Sequence, residues 1–159
     1  VFECRVSLSG LTGASWNFGL SDVLATTAER LMFTVDSGTV ADGGLTVTNA
    51  VAFSYDSDAT DVTNFTVCNE TGGTLNTTET TTSAAAVIDA YNVLRIEVDA
   101  TGDARFYVDG ALTNTQTLAV ATTSILIPYI GGDSGTDAQT TRTCSIDYVY
   151  FSGFRAATQ

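Results

Sequence analysis

The sequence predicts an all-β protein in which two antiparallel sheets pack face to face. Short segments of alternating apolar and polar residues recur about every ten positions, and clusters of Gly, Asn, Asp and Thr separate them. No long segment shows the 3.6-residue period of an amphipathic helix. We expect about ten to twelve strands, and a single flat sheet of that size would leave too much apolar surface in water.

The composition favours one globular domain over residues 1–159. With 44% hydrophobic residues, 15% charged residues and one Pro, the chain can bury enough apolar surface to offset the entropy lost on ordering. A domain of this length buries roughly 68–70% of the surface of its unfolded chain. We therefore expect a single core rather than a small disulfide-stapled scaffold.

The first strand is predicted from the alternation of Phe2, Cys4, Val6 and Leu8 with polar residues, which gives one core face and one wet face. Further strands are predicted at 16–20, 31–35 and 45–55, each rich in aromatic or β-branched residues. Residues 25–30 fit one helical turn between them. The Thr-rich stretch that follows predicts a hairpin, with arms at 64–70 and 74–82 and a turn at Gly72-Gly73.

A second hairpin is the clearest local pattern. Leu94, Ile96 and Val98 alternate with charged residues, the sequence turns at 101–103, and Phe106 and Val108 resume the alternation. Strands at 111–118 and 125–130 follow, and Pro128 places the latter at a sheet edge or strand end. The last strand is predicted at 145–151, with Ile146, Tyr148 and Tyr150 on one face.

The charge of the chain excludes several functions. Eighteen acidic residues against six basic ones give a net charge of −12, which repels a phosphate backbone, so we expect no nucleic-acid partner. All six basic residues are Arg, so His and Lys are not available as general bases, metal ligands or Schiff-base nucleophiles. No apolar run approaches the roughly 18 residues of a membrane span, and no membrane partner is expected.

The 91–110 hairpin resembles that of the concanavalin A-like lectin/glucanase jelly-roll domains, including laminin G-like domains. The resemblance rests on YNVLRIEVD at 91–99, Gly102, RFYVDG at 105–110 and the closing strand SIDYVY at 145–150. Segments 18–22, 53–60 and 126–130 are similar to jelly-roll domains of tailed-bacteriophage structural proteins. The resemblance implies an antiparallel jelly-roll β-sandwich whose first and last strands lie side by side.

A function follows from the resemblance as an expectation. It implies a non-enzymatic virion protein, most specifically a capsid decoration or cement protein on the outer surface of the capsid, or otherwise an extracellular module. Its partners would be the major capsid protein and neighbouring copies of itself, by analogy as a homotrimer. The docking surface cannot be read from the sequence, and no cofactor is required. The alternatives are a glycan-binding, lectin-like module of a tail or adhesin, and an atypical polysaccharide hydrolase.

The hydrolase alternative needs carboxylates at alternate positions of one strand, where they share a face. Glu97 and Asp99 supply two of them. The next alternate position is Thr101, where the chain already turns, so the set is incomplete. The simpler interpretation is the wet face of a hairpin, and no catalytic residues are assigned. A Ser or Cys nucleophile would have no His to activate it.

Two other kinds of site are predicted. Asp56, Asp58 and Asp61 form a D-x-D-x-x-D cluster of hard oxygen ligands that would suit structural Ca²⁺, with Asp133 and Asp137 as a second candidate loop. Clustered Asp residues also occur simply because Asp favours turns. For glycan binding, Tyr107 on the wet face of the hairpin is the better stacking candidate, and Trp16 is the other.

The three cysteines carry no zinc pattern. Cys4, Cys68 and Cys144 have no CxxC spacing and no neighbouring His. The sequence is compatible with three buried thiols or with one disulfide and one free thiol, so it does not fix the redox compartment.

Overall fold

The computed structural model describes residues 1–23, 31–133 and 142–153, and within them the backbone forms thirteen strands and no α-helix. Accordingly, no helix in this part of the chain is long and apolar enough to cross a membrane. The predicted helical turn at 25–30 lies outside the described residues. The strands are β1 (Phe2–Leu8), β2 (Ser15–Ser21), β3 (Phe33–Asp36), β4 (Thr39–Asp42), β5 (Ala50–Asp56), β6 (Asn64–Thr71), β7 (Thr74–Leu75), β8 (Thr80–Ala85), β9 (Tyr91–Val98), β10 (Ala104–Val108), β11 (Ala111–Gln116), β12 (Ile127–Asp133) and β13 (Cys144–Phe151).

Two large antiparallel sheets form a β-sandwich, which confirms the predicted fold class. Sheet A has the strand order β11-β10-β9-β1-β13, and sheet B has the order β12-β2-β5-β6-β7, with β8 also paired to β6. The first strand β1 lies directly beside the last described strand β13, as the resemblance implied. The β9-β10 hairpin and the edge position of β12, which carries Pro128, are likewise confirmed.

The core lies between the sheets because alternate residues of each strand point inward. Phe53 of β5 is fully buried at its centre, with its ring 5.2 Å from that of Phe106 in sheet A and 6.1 Å from that of Phe65 in sheet B. Both contacts are edge-to-face, the geometry favoured by the aromatic quadrupole. Residues of β1, β2, β6, β9 and β10 complete this cluster.

The turn between β9 and β10 requires a glycine. Gly102 has φ +84°, and a Cβ there would lie 2.2 Å from the carbonyl oxygen of Val120. The loop after β11 therefore packs directly on this turn, where no side chain fits. The positive φ and the close contact both require glycine at this position, and this glycine is the residue from which the sequence predicts the turn.

A third layer, which the sequence analysis did not predict, covers the outer face of sheet B. The β3-β4 hairpin and its flanking residues bring buried apolar side chains onto small residues of β5 and β6. The predicted strand at 45–55 begins only at Ala50, because residues before it belong to this layer. The layer places Met32, Phe33, Val35, Val40, Leu45 and Val47 against Ala50, Ala52 and Cys68.

Two further expectations need correction. The second arm of the Thr-rich hairpin is not one strand, since it divides into β7 and β8, both paired with β6. The last strand does not place Ile146, Tyr148 and Tyr150 on one face. A register shift opposite Arg5 and Val6 adds one residue to β13, so Ile146 pairs with an inward residue while the two tyrosines pair with outward ones.

Glu70 is a buried carboxyl in sheet B. Glu70 is 6% exposed, and its Oε2 atom has no hydrogen-bond partner among the described residues. Burial raises the pKa of Glu70 above its ordinary 4.5, and the charges of Asp42 and Asp22 raise it further. The folded carboxyl therefore keeps its proton to a higher pH than the unfolded one does. Its contribution to stability is present below about pH 4.5 and is lost as the pH rises through the folded pKa.

Glu70→Gln is accordingly expected to stabilise the protein at neutral pH. The uncharged amide has nearly the same shape, so we expect a gain on the order of 1 kcal/mol at pH 7 that shrinks towards pH 4. Urea unfolding of both proteins across this pH range measures the effect, with the exposed Asp89→Asn as the control. A gain that grows as the pH falls would contradict the assignment.

Candidate functional site

The outer face of sheet A is the sheet face that the described residues leave uncovered. On the other side of the sandwich, the third layer covers sheet B, and β5 is buried along its whole length. In sheet A, β9 and β10 instead alternate between buried residues and partly exposed ones. We name the outward set the tyrosine-arginine face. Its charged and tyrosine members are Glu3, Arg5, Tyr91, Arg95, Glu97, Arg105, Tyr107, Tyr148 and Tyr150, and the apolar Val93 and Leu112 lie among them.

The register of four strands brings these side chains together. Tyr107 of β10 lies opposite Arg95 of β9, Arg95 opposite Glu3 of β1, and Glu3 opposite Tyr150 of β13. Residues directly opposite each other in antiparallel strands share a face and lie in contact range. A continuous row therefore crosses the sheet from one tyrosine to another, through an arginine and a carboxylate.

Arg95 is the centre of the first group of contacts. Its guanidinium forms an ion pair with Glu97, lies 4.0 Å from the Glu3 carboxylate, and stands 5.6 Å from the centre of the Tyr107 ring. The Tyr107 hydroxyl donates a hydrogen bond of 3.1 Å to Glu97. These contacts fix the ring and the guanidinium relative to each other before anything binds, so a ligand would not have to order them.

Arg5 is the centre of the second group. It forms a 2.6 Å ion pair with Asp147 of β13, and its guanidinium lies 4.3 Å from the centre of the Tyr91 ring. The Tyr148 hydroxyl donates a 2.8 Å hydrogen bond to Glu3, which links this group to the first. Because Tyr148 lies opposite Arg5 in the register, the two groups adjoin on the face.

The two hydroxyl groups remain protonated donors. Partial desolvation and the hydrogen bond to Glu97 raise the pKa of Tyr107. The hydrogen bond to Glu3 is the main cause of the raised pKa of Tyr148. In both cases a neighbouring carboxylate favours the neutral phenol. The face thus offers neutral aromatic rings rather than phenolate charge.

The face is nearly neutral although the chain is strongly acidic. Three of the four described arginines lie on it, namely Arg5, Arg95 and Arg105. Four carboxylates surround them, two from the face itself and two from Asp99 and Asp147. The local sum is one negative charge, whereas the whole chain carries −12. An acidic partner would therefore meet less repulsion here than the net charge of the chain suggests.

Of the two predicted glycan-stacking residues, only Tyr107 lies on this face. Trp16 lies in β2 and packs against the core cluster, so its prediction as an exposed platform is not supported. Its ring lies against Gly132, where a Cβ would stand 2.2 Å from the indole carbons. The indole Nε1 is buried and has no hydrogen-bond partner among the described residues. This ring fills space beside the core.

The predicted calcium ligands do not converge. Asp56 is buried, and its carboxylate accepts hydrogen bonds from the backbone N–H groups of Val35 and Asp58. Asp61 accepts hydrogen bonds from Thr63 and Asn64, which lower its pKa. Among the described residues, no three His, Cys, Asp or Glu side chains form a group that could hold a metal ion. The turn-forming interpretation of this cluster therefore explains its geometry.

The other predicted site residues are placed as follows. Asp133 ends β12, opposite Ser15, and Asp137 lies outside the described residues. Asp99 accepts hydrogen bonds from Thr101 and Asp103 in the turn, chiefly the former, and these bonds lower its pKa. A general acid of a glycosidase needs the opposite shift. Glu97 is thus held by Arg95 and Tyr107, and Asp99 by Arg105 and the turn.

All three cysteines are free thiols. Burial raises the pKa of Cys144 to about 11, and it raises the pKa of Cys4 and Cys68 further. The thiolate is the reactive form of cysteine, so these groups are poor nucleophiles at neutral pH. They behave as small apolar residues of the sheets.

Tyr107 could be selected from the sequence as a site residue, whereas the side chains that surround it could not. Two strands carry a signal of a charged face in the sequence. Glu3 and Arg5 alternate with core residues in β1, and Arg95 and Glu97 alternate with core residues in β9. Their adjacency depends on β1 lying between β9 and β13, which is a property of the sheet order. No protein-family model matches the chain, and a search of the curated proteins found no significant match.

Proposed function

We propose that the chain is a non-enzymatic structural module that docks on a larger assembly through the tyrosine-arginine face. The observation that carries this proposal is the composition of the sheet face that the described residues leave uncovered. Four of the six tyrosines and three of the four described arginines lie on it. Tyr and Arg are enriched in protein interfaces and in their energetic hot spots.

The assembly we propose is a virion shell, on whose outer surface the chain acts as a capsid decoration or cement protein. The likeness of segments 18–22, 53–60 and 126–130 to jelly-roll domains of phage structural proteins supports this role. The β1-β13 adjacency agrees with the fold that the resemblance implies. The partners would be the major capsid protein and neighbouring copies of the chain. Binding to the assembled shell more tightly than to free subunits stabilises the shell by that difference.

The absence of Lys and His from the sequence supports a non-enzymatic role, because it removes the usual general bases. The carboxylates that a hydrolase would use are engaged in ion pairs and turn contacts. This leaves binding as the activity that the face supports best. Among the described residues, no group of side chains is arranged as a ligand set for structural Ca²⁺.

Glycan binding is the second candidate, and one observation favours it. The Tyr107 ring is held on an exposed sheet face between a guanidinium and a carboxylate. A sugar ring needs an aromatic surface for stacking together with polar groups for its hydroxyls, and this arrangement provides both. The Tyr91 ring likewise has a guanidinium beside it, that of Arg5.

Tyr107→Ala and Tyr150→Ala test the proposed docking face from its two sides. We expect each to weaken binding to assembled shells by about tenfold or more, since interface tyrosines often contribute 2 kcal/mol or more. Co-sedimentation with shells of the virus that encodes the chain measures the affinity, and electron microscopy measures the occupancy. Ile125→Ala is the control, because this side chain is 84% exposed and lies outside the face.

Equal binding by both tyrosine variants and the control would overturn the docking face. Saturable binding on a glycan array that is lost in Tyr107→Ala, without binding to shells, would replace the first proposal with the second. If neither shells nor glycans are bound, both proposals fail.

A further inference from the structure

Two buried carboxyl groups of sheet B lie under the third layer, and they differ in their partners. Asp56, at the end of β5, is 4% exposed, and its carboxylate accepts hydrogen bonds of 2.9 Å and 3.1 Å from the backbone N–H groups of Val35 and Asp58. Glu70 in β6 is 6% exposed, and its Oε2 has no hydrogen-bond partner among the described residues. A buried charge is costly unless donors satisfy it. Asp56 therefore attaches the third layer, whereas Glu70 only lies beneath it.

The register places Glu70 on the outer face of sheet B. It stands between Ala50 of β5 and Leu75 of β7, and residues directly opposite each other share a face. Ala50 belongs to the cluster that the third layer forms with sheet B, and Leu75 packs against that cluster. Cys68, two residues before Glu70 in the same strand, points the same way and belongs to the same cluster. Lifting the third layer would therefore bring water to both Glu70 and Cys68.

The charges of the described residues that act on Glu70 are negative. Burial is the main cause of its raised pKa, and the charges of Asp42 in β4 and Asp22 after β2 raise it further. The backbone N–H groups of Thr48 and Asn49 hold the Asp22 carboxylate in place. The residues opposite Glu70 in β5 and β7 are uncharged. Of the four described arginines, three lie on the tyrosine-arginine face and the fourth bonds to the loop before β2, so none of these four compensates the charge.

We infer that the third layer is a pH-sensitive cover, which closes firmly while Glu70 is protonated and opens more often once Glu70 is charged. The closed layer keeps water from the charge and holds the Asp42 carboxylate towards it, whereas opening relieves both costs. The population of the open form should therefore rise with pH, through the folded pKa of Glu70.

The topology allows the third layer to open without the sandwich. Among the described strands, β3 and β4 form a two-stranded sheet of their own. Individual hydrogen bonds, such as those of Asn17 and Asp56, join this sheet to the sandwich in place of a strand ladder. Elements held in this way open locally at a lower free energy than the core does. The inference does not depend on docking by the tyrosine-arginine face.

Cys68 reports the opening of the third layer, and Cys4 reports the unfolding of the sandwich. Both thiols are 0–1% exposed, but Cys4 lies between the two sheets and Cys68 under the third layer. A pyridyl disulfide labels exposed thiols at acid as well as neutral pH, and mass spectrometry of peptides measures each cysteine separately. At pH 7 we expect Cys68 to react at least about tenfold faster than Cys4.

Glu70→Gln tests the pH dependence. Comparison with the unsubstituted protein at each pH cancels the pH dependence of the thiol reaction itself. At pH 7 we expect Cys68 to react about fivefold more slowly in Glu70→Gln, and the two rates should converge towards pH 4. Asp42→Asn removes one of the acting charges and should slow the reaction by a smaller factor. Asp36→Asn removes an exposed charge elsewhere in the third layer, and as the matched control it should change the rate by less than about twofold.

Three results would overturn the inference. Equal reaction rates of Cys68 and Cys4 would show that the chain opens only as a whole. Equal rates of Cys68 in Glu70→Gln and the unsubstituted protein from pH 4 to pH 7 would show that the charge on Glu70 does not open the third layer. Burial raises the pKa of Asp56 as well. Loss of the pH dependence in Asp56→Asn but not in Glu70→Gln would therefore assign the effect to the other carboxyl group.

Discussion

Phe53→Ala is expected to destabilise the protein by about 3–5 kcal/mol, the range for removing a fully buried aromatic ring. The ring contacts Phe106 of sheet A and Phe65 of sheet B, so its loss leaves a cavity that both sheets border. Small domains have only about 5–15 kcal/mol of net stability. The melting temperature should fall by on the order of 10 °C or more.

Urea unfolding measures the change, and Phe53→Leu is the matched variant. Leu fills most of the volume and should cost about half as much or less. This variant also keeps the prediction testable if Phe53→Ala does not fold. A loss below about 1 kcal/mol in Phe53→Ala would mean that the sheets can close over the gap, contrary to the packing described.

Asn17→Ala should release the third layer. Asn17 is fully buried on the outer face of sheet B, where its Nδ2 donates 3.1 Å hydrogen bonds to the Phe33 carbonyl and the Ser54 hydroxyl. Its Oδ1 accepts a 2.8 Å hydrogen bond from the Phe33 N–H. One side chain thus satisfies both backbone groups of a residue in β3, much as a neighbouring strand would. Alanine leaves both groups buried and unpaired, at a cost of about 2–5 kcal/mol.

Hydrogen exchange distinguishes this effect from a general loss of stability. In Asn17→Ala the amides of the β3-β4 hairpin should exchange faster than those of β9 and β10, because the layer opens before the sandwich does. Thr39→Ala, an exposed change in the same hairpin, should stay within about 0.5 kcal/mol of the unsubstituted protein. Uniformly faster exchange in every strand would show that the layer and the sandwich unfold together.

The sequence predicted best the parts of the fold that depend on neighbours along the chain. The β9-β10 hairpin needs only alternation and one glycine turn, and both can be read from residues 94–108. The third layer could not be predicted in this way. Its attachment depends on Asn17 meeting a strand sixteen residues later, and a polar residue in a strand ordinarily indicates a wet face.

The orientation of the side chains of the last strand could not be predicted from the sequence either. Period-two alternation assigns Ile146 and Tyr148 to one face, but a bulge at Asp147 shifts the pattern by one. Part of the candidate site depends on that shift, since it turns both tyrosines of β13 outward. In β10 the alternation is unbroken, and Tyr107 lies on the outward, partly exposed side of the strand, although the register with β11 shifts beside it.

Because the third layer covers the outer face of sheet B, the two outer faces of the sandwich differ. A bare sandwich presents two similar sheet surfaces, whereas the described residues of this one leave a single sheet surface uncovered, which is the surface proposed for attachment. Copies on a common support would therefore all point the same way. The Ser37-Gly38 turn of the β3-β4 hairpin lies on the far side and is exposed. Peptides inserted there would face outward on every copy, which makes the turn a natural position for display.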